Sequence, residues 1–216
     1  MIGDRRNPSA SQADPKLIEG FKTAATAVIS DNLHRMPGAL GIRPFHRGGT
    51  MVGTALTVRT RSGDNLAIHQ ALNLVRPGDV VVVDAGGDTS RAVIGEIINS
   101  IAEMRGAVGI VVDGALRDAS AIAKSDFPCF ARAAIHLGPY KNGPGEVNVP
   151  VSIGGLIIEP GDIVVGDDDG IVAFPQSIAV ELLKAVRAQD AKEAKILQSI
   201  RGGVYEDAYG KPGPAS

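Results

Sequence analysis

The chain has 216 residues, 44% hydrophobic and 21% charged, which is enough for one compact domain with a sizeable core. Its formal net charge is −2 and its longest N-terminal basic cluster is Arg5-Arg6, so it lacks the basic footprint of a nucleic-acid binder. Cys129 is the only cysteine and no stretch approaches 18 consecutive apolar residues, which argues against an internal disulfide, a CxxC metal knuckle and a helical membrane span. The polar N-terminus has no signal-peptide core, and a reducing cytoplasm is the expected home.

Asp14-Pro15 has the form of a helix start, a capping residue followed by proline at the first helical position. Leu17, Ile18, Phe21, Ala25, Val28, Ile29 and Leu33 recur at helical spacing, which predicts one amphipathic helix from Pro15 to about Arg35. Val52 to Arg59 alternates as a strand, and Gly63-Asp64-Asn65 caps a helix from Leu66 to about Val75. Val80 to Val83, four valines in a row, predicts a strand buried on both faces, as in a parallel sheet. A helix from Ser90 to about Arg105 follows, with Ala92, Val93, Ile97, Ile101 and Met104 inward and Gly106 as its stop. Ile110 to Val112 is a strand turning at Asp113-Gly114, then come a helix from about Ala119 to Lys124 and a strand over Phe127 to Ala131. Alternation of this kind marks a parallel α/β arrangement.

Between Ile135 and Phe174 short strands and glycine-proline turns predict a β-rich second layer. Ser177 to about Ile200 is a long polar helix, and residues 201–216 form an extended tail. The expected organisation is an N-terminal arm (1–14), an α/β domain (15–176) and a C-terminal helix with its tail (177–216). One internal echo occurs: a Pro-Gly-Asp turn feeds an apolar strand both at Pro77-Gly78-Asp79 and at Pro160-Gly161-Asp162.

Ligands of open parallel sheets bind beyond the carboxyl ends of the strands. That rule gathers Asp84-Ala85-Gly86-Gly87-Asp88, the segment Asp113 to Asp118, and Arg132. Gly86-Gly87 allows close backbone approach and is expected to lead into a helix whose first amides could hold an anion. Arg117 is a planar fork for a carboxylate, and Asp118 is a hard oxygen ligand for magnesium or manganese. A capping aspartate beside a solvated arginine is the plainer alternative. Asp167-Asp168-Asp169 reads as a turn, the four histidines share no ligand spacing, and Cys129 suits a buried small hydrophobe. DAGGD matches neither G-x-G-x-x-G nor GxxxxGK[ST].

Gly95-Glu96, twenty intervening residues, then Arg117-Asp118 resembles the signature of the 4-hydroxy-4-methyl-2-oxoglutarate aldolase family, which also holds the RraA-type regulators of ribonuclease E activity. GTALTVRT (53–60), PGDVVVVDAGGD (77–88), RGAVGIVVDGALRD (105–118) and DDDGIVAFP (167–175) agree with it. The resemblance implies an α/β fold of the α/β/β swivelling type, like a phosphohistidine domain, with a parallel β-α-β core and a β-rich second layer. It implies a homotrimer or homohexamer and a small oxyacid as the partner, while the charge and hydropathy above already argue against nucleic acid and membrane.

The activity so implied is that of a divalent-metal class II lyase. It would cleave 4-hydroxy-2-oxo acids to pyruvate and decarboxylate oxaloacetate, with Mg2+ or Mn2+ as cofactor. By position, Asp118 would hold the metal and Arg117 the pyruvyl carboxylate and ketone oxygen. Gly95, Glu96, Ile97 and Ile98 would line the substrate, and Glu96 would order the waters that move protons. Many aldolases of the family follow R-D-x-x-[DE]; here the last position is Ala121. Glu193 and Glu206 are candidates for an acid lent to a neighbouring subunit. The alternatives are a non-enzymatic regulator and, with no visible S-adenosylmethionine motif, a methyltransferase.

Overall fold

The computed structural model describes residues 4–36 and 38–204. Chain order begins with α1 (Pro15–Phe21) and α2 (Thr26–Asn32). The Asp14 carboxylate accepts from the Lys16 amide at 2.8 Å and Pro15 stands at the start, as the cap signal predicts. The expected single helix to Arg35 is two helices. Asp167, from a distant turn, accepts from both the amide and the hydroxyl of Thr26, at 2.8 and 2.6 Å, and so caps a second helix there. His34 and Arg35 then take left-handed backbone angles and end it.

After the two-residue strand β1 (Arg43–Pro44) come β2 (Met51–Thr60), α3 (Leu66–Leu72) and β3 (Asp79–Asp84). The expected helix over Ser90–Arg105 divides into a short strand β4 (Ala92–Ile94) and helix α4 (Glu96–Met104). β4 pairs in parallel with the far end of β5 (Gly109–Leu116), Ala92 with Ala115 and Ile94 with Leu116. That pairing turns the helix face: Ile98 and Ala102 enter the core, while Ile97 and Met104, expected inward, are 69% and 75% exposed. The strand expected to turn at Asp113-Gly114 instead runs on to Leu116, through an irregularity in its pairing with β6 between Val112 and Ala115.

α5 (Ala119–Ile122), β6 (Cys129–Ala134), β7 (Gly145–Val147), β8 (Val151–Ile153), β9 (Leu156–Ile158), β10 (Ile163–Asp167), β11 (Gly170–Phe174) and α6 (Ala179–Arg201) complete the order. Most of the tail, Glu206 included, lies outside the described residues.

One sheet carries the order β1-β6-β5-β3-β2-β10-β11. Its centre, β2, β3, β5 and β6, is parallel, and β10 joins β2 antiparallel. Of the β-rich region, then, β10, β11 and β7 extend the main sheet, and only the β8–β9 hairpin forms a separate layer. The sheet curls until β1 and β11 meet, a nearly closed, barrel-like arrangement. Val80 to Val83 are fully buried. Val80 and Val82 face the interior with Val111, Phe130 and the hairpin residues Val151, Ile153 and Ile158. Val81 and Val83 face out, beneath α3 and α4. Burial of one such side chain stabilises by about 1.5–3 kcal/mol, so a strand buried on both faces is a firm axis for whatever its ends carry. A third cluster, with Phe21, Ile29, Phe174, Leu183 and Val186, fastens α1, α2 and the first half of α6 to the sheet.

The Pro-Gly-Asp echo has a structural counterpart. Gly78 and Gly161 take backbone φ of 91° and 94°, and their two strands flank β2 at the same height, Asp79 and Ile163 both opposite Thr54. Among the described residues no helix is long and apolar enough to cross a membrane.

Candidate active site

β4 and the end of β5 bring two distant segments together. The Arg117 amide donates to the Ile94 carbonyl at 3.1 Å, which sets Arg117-Asp118 directly beside Gly95-Glu96. Asp118 then adopts the left-handed conformation, φ 59° and ψ 33°, and its carboxylate accepts from the Glu96 amide at 3.1 Å. Arg117 Nε lies 3.7 Å from Asp118 Oδ2. Both side chains are partly open to solvent, at 45% and 41%. Gly95 is extended, at φ −165°, so its backbone would suit any residue; what it lacks is room, since a Cβ there would stand 2.5 Å from Asp118 Oδ2 and 3.0 Å from Arg117 Cγ.

The pair opens onto a cavity of about 280 Å³ lined by Gly95, Ile97, Ile98, Arg117 and Asp118 on one part of its wall and by Asn65, His69 and Lys141 on another. A second recess, with Ala119, Ile135 and His136, begins on the far side of the same Arg117–Asp118 pair. Five of the six residues expected from the sequence therefore share one cavity. Glu96 heads α4 and is exposed, with its amide, rather than its carboxylate, tied to Asp118. The first amides of a helix have no acceptor within it, so those of Ile97 and Ile98 remain available for an anion.

Other expected members do not join. Gly86-Gly87 leads into β4, not a helix, which removes the anticipated anion cradle. Asp84 Oδ1 accepts from the Gly86 amide at 2.9 Å and Oδ2 from the Ser152 amide at 3.1 Å. Arg132 pairs with Asp113, whose Oδ2 also takes the Gly154 amide at 2.7 Å. These groups staple the β8–β9 hairpin over the sheet. Asp167 caps α2, as a turn aspartate, and Glu193 accepts from Gln189 at 2.8 Å in a groove beside α2. Ala121 lies in the first turn of α5 and offers no carboxylate. Cys129 is fully buried, and burial pushes its thiol up to about 12, the behaviour of a small hydrophobe.

Asn65, His69 and Lys141 escaped the sequence reading. Asn65 had a visible role as part of a helix cap, and its Nδ2 donates to the Val93 carbonyl at 3.1 Å, bracing β4. His69 sits on α3 and Lys141 in a glycine-proline loop 72 residues later, with no local spacing to link them. Burial, and then the positive charge of Lys141, hold the His69 imidazole below its ordinary pKa. Lys141 rides on a lip that is fixed on both sides. Tyr140 donates its amide to Gly63 at 2.8 Å, and Asp64 Oδ2 accepts from the amides of Asn142 and Gly143 at 2.7 and 3.0 Å. Arg91 donates to the Gly138 carbonyl at 2.9 Å and lies 4.3 Å from the centre of the Tyr140 ring.

Among the described residues no three His, Cys, Asp or Glu side chains gather as a metal cage. Asp118 nonetheless presents one carboxylate oxygen with no protein donor among the described residues, at the mouth of the cavity. A single carboxylate with water and substrate oxygens is the donor set that magnesium accepts, so these residues fit a hydrated hard cation.

A mixed α/β fold with a nearly closed sheet, and an arginine–aspartate pair beneath a helix start, now stand together. Residues 26–173 match the RraA-like family, Aldolase/RraA, and the chain belongs to it. Over 184 residues it is 40% identical to a protein of Halalkalibacterium halodurans named "Putative 4-hydroxy-4-methyl-2-oxoglutarate aldolase", spanning 85% of this chain and 88% of that one. Similar solved structures include two at 29% identity. An uncharacterized protein from Pseudomonas syringae pv. tomato has a TM-score of 0.82, covering 91% of this chain and 93% of its own. Streptomyces coelicolor RraAS2, described as an unusual member of the RNase ES inhibitor RraA protein family, has a TM-score of 0.79, covering 86% and 97%.

Proposed function

We propose that this chain is a lyase that cleaves 4-hydroxy-2-oxo acids of the 4-hydroxy-4-methyl-2-oxoglutarate type to pyruvate and decarboxylates oxaloacetate at the same site. The supporting observation is the placement of Arg117 and Asp118 against the first turn of α4, at one cavity, in a chain whose relatives carry the aldolase name. Arg117 binds the carboxylate and ketone oxygen of the 2-oxo acid as a two-pronged donor. The amides of Ile97 and Ile98 complete the carboxylate's hydrogen bonds, and Gly95 keeps the approach open. A divalent cation held by Asp118, magnesium or manganese, would supply Lewis-acid charge at the ketone oxygen.

Cleavage breaks the C3–C4 bond and leaves its electron pair on the pyruvyl unit as an enolate. Arg117 stabilises that charge, the kind of effect that is usually the largest in such reactions. Glu96, through ordered water, takes the 4-hydroxyl proton as the C4 carbonyl forms and returns a proton to C3 of the enolate. With oxaloacetate the same electron pair is left by departing carbon dioxide.

A homotrimer or homohexamer, with this small oxyacid as the ligand, belongs to the same reading; the apolar stripe of Ile97 and Met104 exposed on α4 supports an assembly. We also assign the fold to the swivelling α/β/β type, with the β8–β9 hairpin as the β-layer over the parallel core.

The test is pyruvate release from both substrates with magnesium or manganese and with chelator. Asp118→Asn is the variant of choice. At φ 59° alanine would add about 1–2 kcal/mol of backbone strain, whereas asparagine tolerates that region and removes only the charge. Chelation and Asp118→Asn are each expected to lower turnover by about 10²-fold or more, and Arg117→Lys to raise KM. No pyruvate from either substrate with either metal would overturn the proposal in favour of a regulatory, protein-binding member of the family.

A further inference from the structure

His69 lines the cavity half-buried on α3, and neither of its ring nitrogens has a hydrogen-bond partner among the described residues. Its helix is anchored. The Leu66 amide donates to Asp64 Oδ1 at 2.9 Å, the His69 amide to the Asn65 carbonyl at 3.1 Å, and Asn65 Nδ2 to the Val93 carbonyl at 3.1 Å. That last bond ties α3 to β4, whose end carries Gly95 and, through Ile94, the Arg117 amide. The ring is thus held at a set position relative to the Arg117–Asp118 pair across the cavity. The other polar side chains of the wall are committed: the Asn65 nitrogen is taken by Val93 and its oxygen is buried, while Arg117 and Asp118 serve the 2-oxo end. The charged groups around the cavity are Lys141 on the lip and Arg117 and Asp118 after β5, and α3 carries no other titratable side chain. Burial, then Lys141, keep the imidazole uncharged at pH 7, so one ring nitrogen bears a proton and the other a lone pair.

We propose that His69 is a further catalytic residue of the aldol cleavage, its ring N–H donating a hydrogen bond to the C4 oxygen of a 4-hydroxy-2-oxo acid. With the 2-oxo end on Arg117 and Asp118, C4 extends toward the opposite wall, where the ring stands. As the hydroxyl gives its proton to the water ordered by Glu96, negative charge builds on that oxygen before the C3–C4 bond breaks, and the N–H stabilises it. No proton leaves the ring, so Glu96 and its water still carry both proton transfers. An imidazolium would hand its proton to the same oxygen and restore the hydroxyl. The uncharged state favoured by burial and Lys141 therefore keeps the donor in its useful form. The inference rests on the lyase reading of Arg117–Asp118 and separates its two reactions: oxaloacetate has no 4-hydroxyl, so its decarboxylation has no use for this donor.

The experiment compares kcat for cleavage of 4-hydroxy-4-methyl-2-oxoglutarate with kcat for decarboxylation of oxaloacetate, both with magnesium and with the metal-only rate subtracted. Wild type, His69→Phe and His69→Gln are measured, with thermal unfolding as a control on folding. His69→Phe keeps a ring in place without the donor. It is expected to lower kcat for cleavage by about 10²-fold, the scale of one lost donor at a developing oxyanion, and to leave decarboxylation unchanged. His69→Gln, whose side-chain amide donates from a similar reach, should recover much of the loss. Equal losses on both substrates, or no loss on either, would overturn the role of His69 while leaving the lyase reading of Arg117–Asp118 in place. A wild type that decarboxylates oxaloacetate but leaves the 4-hydroxy acid intact would overturn it as well. No pyruvate from either substrate in wild type would instead overturn the lyase reading itself, and the role of His69 with it.

Discussion

At the scale of single residues, Gly95 and Asp118 form a matched pair in which each makes the other possible. Asp118 needs a left-handed backbone to fold its carboxylate back onto the Glu96 amide, and Gly95 leaves the space into which that carboxylate falls. A methyl group at position 95 meets the Asp118 carboxylate at 2.5 Å and the inner Cγ of Arg117 at 3.0 Å, both on partly exposed side chains that can turn away. Gly95→Ala should therefore cost less than about 1 kcal/mol of stability. Turnover should fall by about a hundredfold, because displacement of a reacting group by an ångström is enough for such a loss. Urea unfolding and steady-state pyruvate release, measured together, check both halves. Full activity in Gly95→Ala would mean that the Asp118 position seen here is not the working one.

His69 supplies a probe of the same wall that does not depend on turnover. Its pKa is lowered first by burial and second by Lys141. An unperturbed imidazole titrates near about 6.5, so in the folded protein the ring is neutral at pH 7. Lys141→Met removes the second cause and leaves the first. The His69 titration followed by NMR should move upward in that variant yet stay below the ordinary value. An unmoved titration would show that the ammonium does not face the ring.

At the scale of elements, most of the framework was legible. The four valines of β3 and the Asp14-Pro15 start fold as their local chemistry dictates, because each is decided by burial or by a cap within a few residues; β2 forms where its β-branched residues predict, but it is buried on both faces and not on alternate residues. The Arg117–Asp118 pair was legible as charged residues beyond the carboxyl end of a strand, although that strand runs to Leu116 rather than stopping at Val112. What could not be read was set by partners far along the chain. Ala92, Val93 and Ile94 fit a helix by spacing, but a parallel edge on the extension of β5 gave them strand hydrogen bonds. Asp167 divided the first helix from 141 residues away. Lys141 reaches the cavity on a loop held by Gly63, Asp64 and Arg91, all far away in sequence.

The β8–β9 hairpin is governed similarly, from a distance. Asp113 is buried inside β5 and carries both the Gly154 amide and the Arg132 guanidinium. Asp113→Ala leaves a buried amide and a partly buried cation without their acceptor, at a cost of about 2–3 kcal/mol. The prediction is a lower urea midpoint, with pyruvate affinity retained because Arg117 and Asp118 lie beyond the point where the strand meets the hairpin. Loss of pyruvate binding in a folded Asp113→Ala protein would instead tie the hairpin to the site.

At the scale of the whole molecule, acid sensitivity and the site share one buried carboxylate. Burial alone would raise the Asp64 pKa, but the amides of Leu66, Asn142 and Gly143, with Arg61, outweigh it and hold the group below its usual value. A carboxylate with a depressed folded pKa contributes stability above its unfolded pKa, about 3.9, and that contribution is lost as pH falls through the folded value. Asp162 works in the opposite sense, since burial raises its pKa and its protonated form favours the fold. Asp64→Asn should thus be less stable than wild type at pH 7, and the gap should narrow as pH falls below about 4. Asparagine offers one acceptor oxygen where the carboxylate offers two, so either the Leu66 amide or the Asn142 and Gly143 amides lose their acceptor, and this edge of the cavity loosens. Denaturation of wild type and Asp64→Asn across the pH range tests whether this carboxylate anchors the fold at the edge of the cavity. A stability gap that stayed constant from pH 7 to pH 3 would refute the linkage.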